Sequence, residues 1–102
     1  MPMEKRKLAR IEEYIFSYFR ARGTSRLLAR EVFESTGEYA NADLVRAFED
    51  LEKKWRLLVR YTKGGNDWVS LTAEGAALAG LAPLSDEEAR DVFPHPPKSS
   101  TR

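Results

Sequence analysis

The feature that most constrains this chain is a change of hydrophobic period inside one uninterrupted stretch, residues 41–75. Leu44, Phe48, Leu51 and Trp55 recur at spacings of four, three and four, which is the apolar stripe of an amphipathic helix. Asn41 is placed to cap its start. The period then drops to two through Leu58, Val59, Arg60, Tyr61 and Thr62, breaks at Gly64-Gly65, and resumes through Asp67, Trp68, Val69, Ser70 and Leu71. Two alternating runs around a glycine pair predict a hairpin. A two-residue turn pairs Lys63 with Asn66, Thr62 with Asp67, Tyr61 with Trp68, Arg60 with Val69 and Leu58 with Leu71, and a four-residue loop leaves the inner pairs unchanged. Leu58, Val69 and Leu71 then share the core face. Val59, Tyr61 and Trp68 share the other, where the aromatic pair either stabilises a small sheet or offers a surface to a partner.

Upstream, Leu8, Ile11, Ile15, Tyr18 and Phe19 lie on one side of a helix running from Glu4 to about Ala21. Tyr14 and Phe16 flank Ile15 at about 100° on either side, widening the apolar arc. They cover edges of the core or form a dimer contact. Gly23 ends this helix, and Thr24 or Ser25 is expected to cap a short one carrying Leu27, Leu28, Val32 and Phe33 up to Gly37. Residues 38–40 are the turn into the Asn41 helix. Downstream, Thr72 is expected to cap a helix of small residues to about Leu81, which Pro83 ends. Ser85 and Glu88 have capping-box spacing, with Ala89, Val92 and Phe93 docking a last turn of helix. From Pro94 the composition shifts to proline, serine and charge, a flexible tail. The fold class is therefore mainly α with a small β-hairpin (α+β), as one domain over residues 1–93 and a tail over 94–102.

Two helices joined by a short turn, the second longer and followed directly by a hairpin, resemble the winged-helix branch of the helix-turn-helix proteins. The run Leu51 to Lys54, the strand Leu57 to Tyr61, and Leu71 and Thr72 ahead of Gly75 resemble the MarR and PadR families of prokaryotic transcriptional regulators. The resemblance implies a three-helix core, a two-stranded wing over residues 57–71 and a C-terminal helix. It also implies double-stranded DNA as partner, with helix 41–54 in the major groove and the wing on the backbone. One position departs from the pattern: Trp55 and Arg56 stand where a glycine usually closes the reading helix, so that helix is expected to run on and tuck Trp55 under the hairpin.

On this reading Arg46 suits guanine and Asn41 suits adenine edges, Lys53 stands with them on the exposed side of the reading helix, and Arg26, Arg30, Arg60 and Lys63 suit the phosphates of a duplex. Tyr14, Phe16, Tyr61 and Trp68 are candidates for a protein interface, including a homodimer. Charge both supports and opposes DNA. The net charge is +1, yet up to Arg30 the basic residues exceed the acidic by five, and from Gly64 onward the acidic exceed the basic by three. Asp43, Glu49 and Asp50 make the first turns of the reading helix acidic, and carboxylates facing phosphates repel them. The competing reading is a winged-helix interaction module within a transcription, replication or other assembly.

Other chemistries find little footing. There is no cysteine, so disulfides and thiolate-held metals are excluded. The single histidine, His95, stands between prolines in the tail, with nothing to orient it. Gly64-Gly65 is a turn, not a phosphate loop. Glu49, Asp50 and Glu52 point in different directions from one helix. A non-enzymatic protein without cofactor or metal is expected. No apolar run nears the roughly 20 residues that span a bilayer, and the N-terminus lacks an apolar signal core, so a soluble cytoplasmic protein is expected. A charged content of 32%, an excess of arginine over lysine and no glutamine fit a heat-adapted source.

Overall fold

A computed structural model describes residues 5–92. Its elements run α1 (Lys5–Arg22), β1 (Arg26–Leu28), α2 (Ala29–Ser35), α3 (Asn41–Lys53), β2 (Leu58–Lys63), β3 (Asn66–Leu71), α4 (Ala73–Ala79) and α5 (Asp86–Val92). The described residues thus form an α+β fold, with five helices and a three-stranded antiparallel sheet in the order β1-β3-β2. Phe93, His95 and the expected tail lie outside the described residues.

Helix α1 forms on the predicted stripe, with Ile11, Ile15 and Phe19 fully buried. It stops at Gly23, whose φ of +68° lets its N–H reach the Phe19 carbonyl at 2.9 Å; a side chain there would strain that left-handed turn. From α3, Leu44, Ala47, Phe48 and Leu51 complete the other half of the core. Leu58, Val69 and Leu71 close it from the sheet.

The hairpin has the predicted register, from Lys63↔Asn66 through Tyr61↔Trp68 to Leu58↔Leu71. Gly64 and Gly65 take φ of +61° and +79°, the two positive angles that a tight hairpin turn matching the strand twist requires. Three expectations are corrected. The sheet has three strands, not two: Arg26–Leu28 pairs along β3, and the Ser25 carbonyl accepts the Leu71 N–H at 2.8 Å. Pairing there covers the edge of β3 that a two-stranded wing leaves open, and it sends Leu27 into the core beside Val69. Consequently α2 starts at Ala29, with Leu28 at its N-cap and no side-chain cap. Ser25 instead donates its hydroxyl to the Ala82 carbonyl at 2.6 Å. Second, Ala40 rather than Asn41 is the N-cap of α3, again without a side-chain bond. Third, α3 does not run on but ends at Lys53 with Lys54 as its C-cap, and Trp55 is not tucked under the hairpin but 52% exposed. The chain turns at Arg56, a non-glycine residue at φ +57°, and the indole swings outward.

The close of the fold is tightly specified. The Thr72 hydroxyl oxygen accepts the Gly75 N–H at 3.1 Å and donates to the Arg56 carbonyl at 3.0 Å. Gly75 lies so near the preceding loop that a Cβ would stand 2.1 Å from the Leu57 carbonyl oxygen. Helix α5 begins with the reciprocal bonds of a capping box: Ser85 N–H to Glu88 at 3.0 Å, and Glu88 N–H to the Ser85 hydroxyl at 3.1 Å. Among the described residues no helix is long and apolar enough to cross a membrane.

Candidate nucleic-acid interface

Helix α3 sorts its polar side chains into three directions. Toward α1, Asp43 takes the Lys7 ammonium at 3.1 Å, and Asp50 accepts the Trp55 indole N–H at 3.2 Å. Toward β2, Glu52 holds the Arg60 guanidinium through Nη2 at 2.9 Å and Nε at 3.0 Å. What remains faces away from the core: Ala42, Val45, Arg46, Glu49 and Lys53, with Arg46 and Lys53 exposed and Val45 37% exposed. Arg46, Glu49 and Lys53 make no ion pair or side-chain hydrogen bond with the other described residues. Two of the three carboxylates that oppose a polyanion in the sequence are therefore drawn to the α1 flank. The outward strip carries two cations and one anion.

Asp50 also faces Glu12 of α1. Burial, the hydrogen bond to Asp50 and the Asp50 charge raise the Glu12 pKa from 4.5 to about 8, with Lys54 pulling weakly the other way. Burial and a neighbouring negative charge both disfavour the ionised form of Glu12.

A cleft of about 410 Å³ separates α3 from the hairpin, floored by Phe33, Phe48 and Val69 and bridged by the Glu52–Arg60 pair. The rings of Phe33 and Phe48 meet edge to face at 5.8 Å. A second hollow brings Arg30 of α2 beside Gly65 and Asn66 at the hairpin tip, and Lys63 on β2 is exposed.

Of the seven residues assigned to a duplex by sequence, Arg30, Asn41, Arg46, Lys53 and Lys63 are exposed. Arg60 is half-buried against Glu52. Arg26 lies on the outer face of the sheet, its guanidinium 4.5 Å from the Trp68 ring and 5.9 Å from that of Tyr61, with Nε buried. The same contacts change the aromatic pair. Tyr61 and Trp68 are half-buried rather than open, Tyr61 hydrogen-bonds the fully buried Ser70 at 3.0 Å, and α5 packs against β2. Tyr14 is also engaged within the chain, bonded to Ser35 and edge-on to Tyr39 at 5.6 Å. Phe16 borders a hollow with Trp55 and Leu57. Sequence reasoning missed Trp55 as a surface residue. The signal lay in the absence of a glycine after Lys54, which forces a non-glycine residue into the left-handed turn.

No protein-family model, curated protein or solved structure matches the chain.

Proposed function

We propose that the chain is a winged-helix protein that binds duplex DNA without catalysis, as a small cytoplasmic transcriptional regulator of prokaryotic type acting as a homodimer. In this reading α3 enters the major groove and the β2–β3 hairpin is the wing. The observation that carries it is the outward strip of α3. Arg46, Glu49 and Lys53 are uncommitted at helical spacing, while every other acidic side chain of that helix is paired or turned aside. A helix that holds back polar groups in one row can present them to base edges and phosphates. Arg46 takes a guanine, Lys53, Arg30 and Lys63 take phosphates, and the apolar floor of the cleft keeps the wing at a fixed distance from the helix.

Binding to a mixed-sequence duplex across an ionic-strength series tests this. Affinity is expected to fall steeply with salt, and Arg30→Ala with Lys53→Ala to flatten the slope. No binding at low salt sinks the reading. A protein-interaction module is the second reading, and the half-exposed Trp55 is the observation in its favour.

A further inference from the structure

We infer that a second copy of this chain docks on the α1 face formed by Glu13, Phe16 and Arg20, with Trp55 and Leu57 beside it, about a two-fold axis passing near Phe16. The inference rests on the dimeric part of the reading above and is independent of DNA. It begins with Trp55. An indole 52% exposed is held outward rather than left loose: Asp50 fixes its N–H at 3.2 Å, and the Lys54 ammonium stands 5.0 Å from the ring. The left-handed Arg56 then turns the chain away from the helix into β2. A large apolar ring fixed in water marks a surface that fits a partner. A ring already fixed loses little freedom when it is covered. Beside it, Trp55, Phe16 and Leu57 line a hollow of about 240 Å³.

The charges on α1 identify the partner. Glu13, Phe16 and Arg20 fall at spacings of three and four, one stripe of the helix. Glu13 and Arg20 are exposed, and neither pairs with any other described residue. Seven residues apart on a helix they are separated by about 10 Å along the axis, too far to meet each other. An identical helix laid antiparallel, with the two-fold beside Phe16, opposes each Glu13 to the other copy's Arg20 and sets the two Phe16 rings together. The stripe is self-complementary, as an interface repeated on both subunits has to be. None of these residues belongs to the outward strip of α3, so the strip stays open in the dimer.

The test is the mass of the full chain in solution without DNA, by sedimentation equilibrium up to about 100 µM, where dissociation shows as a concentration-dependent mass. Wild type is expected at twice 11.7 kDa. Glu13→Arg and Arg20→Glu each oppose like charges twice and are expected to run as monomers, while the double variant E13R/R20E returns to the dimer. Trp55→Ala is expected to weaken dimerisation by about thirtyfold or more. A wild-type monomer at the highest concentration overturns the inference. So does a dimer that ignores both reversals, or a double variant that stays monomeric with an unchanged melting curve. Each of these leaves the salt-series result standing by itself.

Discussion

Gly75 and Arg56 show at single residues how closely the end of the sheet is fitted. The Leu57 carbonyl accepts the Thr72 N–H at 3.0 Å and would lie 2.1 Å from any Cβ at position 75. The obstacle is backbone, already held by a hydrogen bond, so it cannot swing aside as a side chain can. Gly75→Ala is expected to cost about 1–3 kcal/mol, the range for forcing extra volume into a packed site. A urea-denaturation midpoint equal to wild type would show that α4 slides away freely instead. Arg56 presents the opposite case. Its φ of +57° carries a cost of about 1–2 kcal/mol for a residue with a Cβ, which glycine relieves while adding freedom to the unfolded chain. Arg56→Gly is expected to raise stability by up to about 1 kcal/mol, read by the same midpoint. A fall would mean that the Arg56 side chain contributes packing beyond its backbone geometry.

Among the elements, the contact of α1 with the end of α3 depends on protonation. The Glu12 pKa is raised from 4.5 to about 8 in the folded state by burial and by Asp50, so between those values the native chain binds more protons than the unfolded one. Stability is then fullest below about pH 4.5, falls as pH rises toward 8, and levels above it. Glu12→Gln keeps a neutral hydrogen-bonding side chain and removes that slope. It is expected to melt higher than wild type at pH 8–9 and alike near pH 4.5, and parallel melting curves across the range would show that Glu12 does not titrate with a raised pKa. The two partners here were not legible in the sequence, because helical spacing puts Asp43 and Asp50 on one flank of α3 without saying that Lys7 and Glu12 stand opposite. The hairpin was legible to the residue, since Gly64-Gly65 dictates a turn and the turn dictates every pair across it. Strand β1 was not, because three residues, Arg26–Leu28, are too short to show a period. What makes them a strand is the open edge of β3, some forty residues later in the chain. Trp55 misled because it continues the spacing of Leu44, Phe48 and Leu51, whereas α3 ends at Lys53 and Trp55 stands beyond it. Among the site residues, Arg46 and Lys53 could be placed by helical spacing alone. Arg26 and Arg60 could not, since their stacking and pairing partners are set by the sheet and by α3.

At the scale of the whole molecule, a net charge of +1 gives little long-range attraction to a polyanion, so binding depends on where the cations stand. In the proposed complex, with Arg30, Lys53 and Lys63 each meeting a phosphate and Arg46 meeting a base, one protomer would release about three counterions. The logarithm of its affinity should then fall with the logarithm of salt at a slope of about −2.7. A dimer engaging both strips on one duplex doubles this to about −5.4. Glu13→Arg and Arg20→Glu separate association from simple charge, because one adds positive charge to the protein and the other adds negative. If the α1 face joins the protomers, both variants are expected to drop to the single-protomer slope, and the E13R/R20E double variant to recover the steeper one. If the face only tunes the electrostatic field, the two single variants should shift affinity in opposite directions and keep the wild-type slope. Titrations at four or five salt concentrations on one duplex distinguish these outcomes, and opposite shifts at constant slope would remove the α1 face from DNA binding even in a protein that binds DNA well.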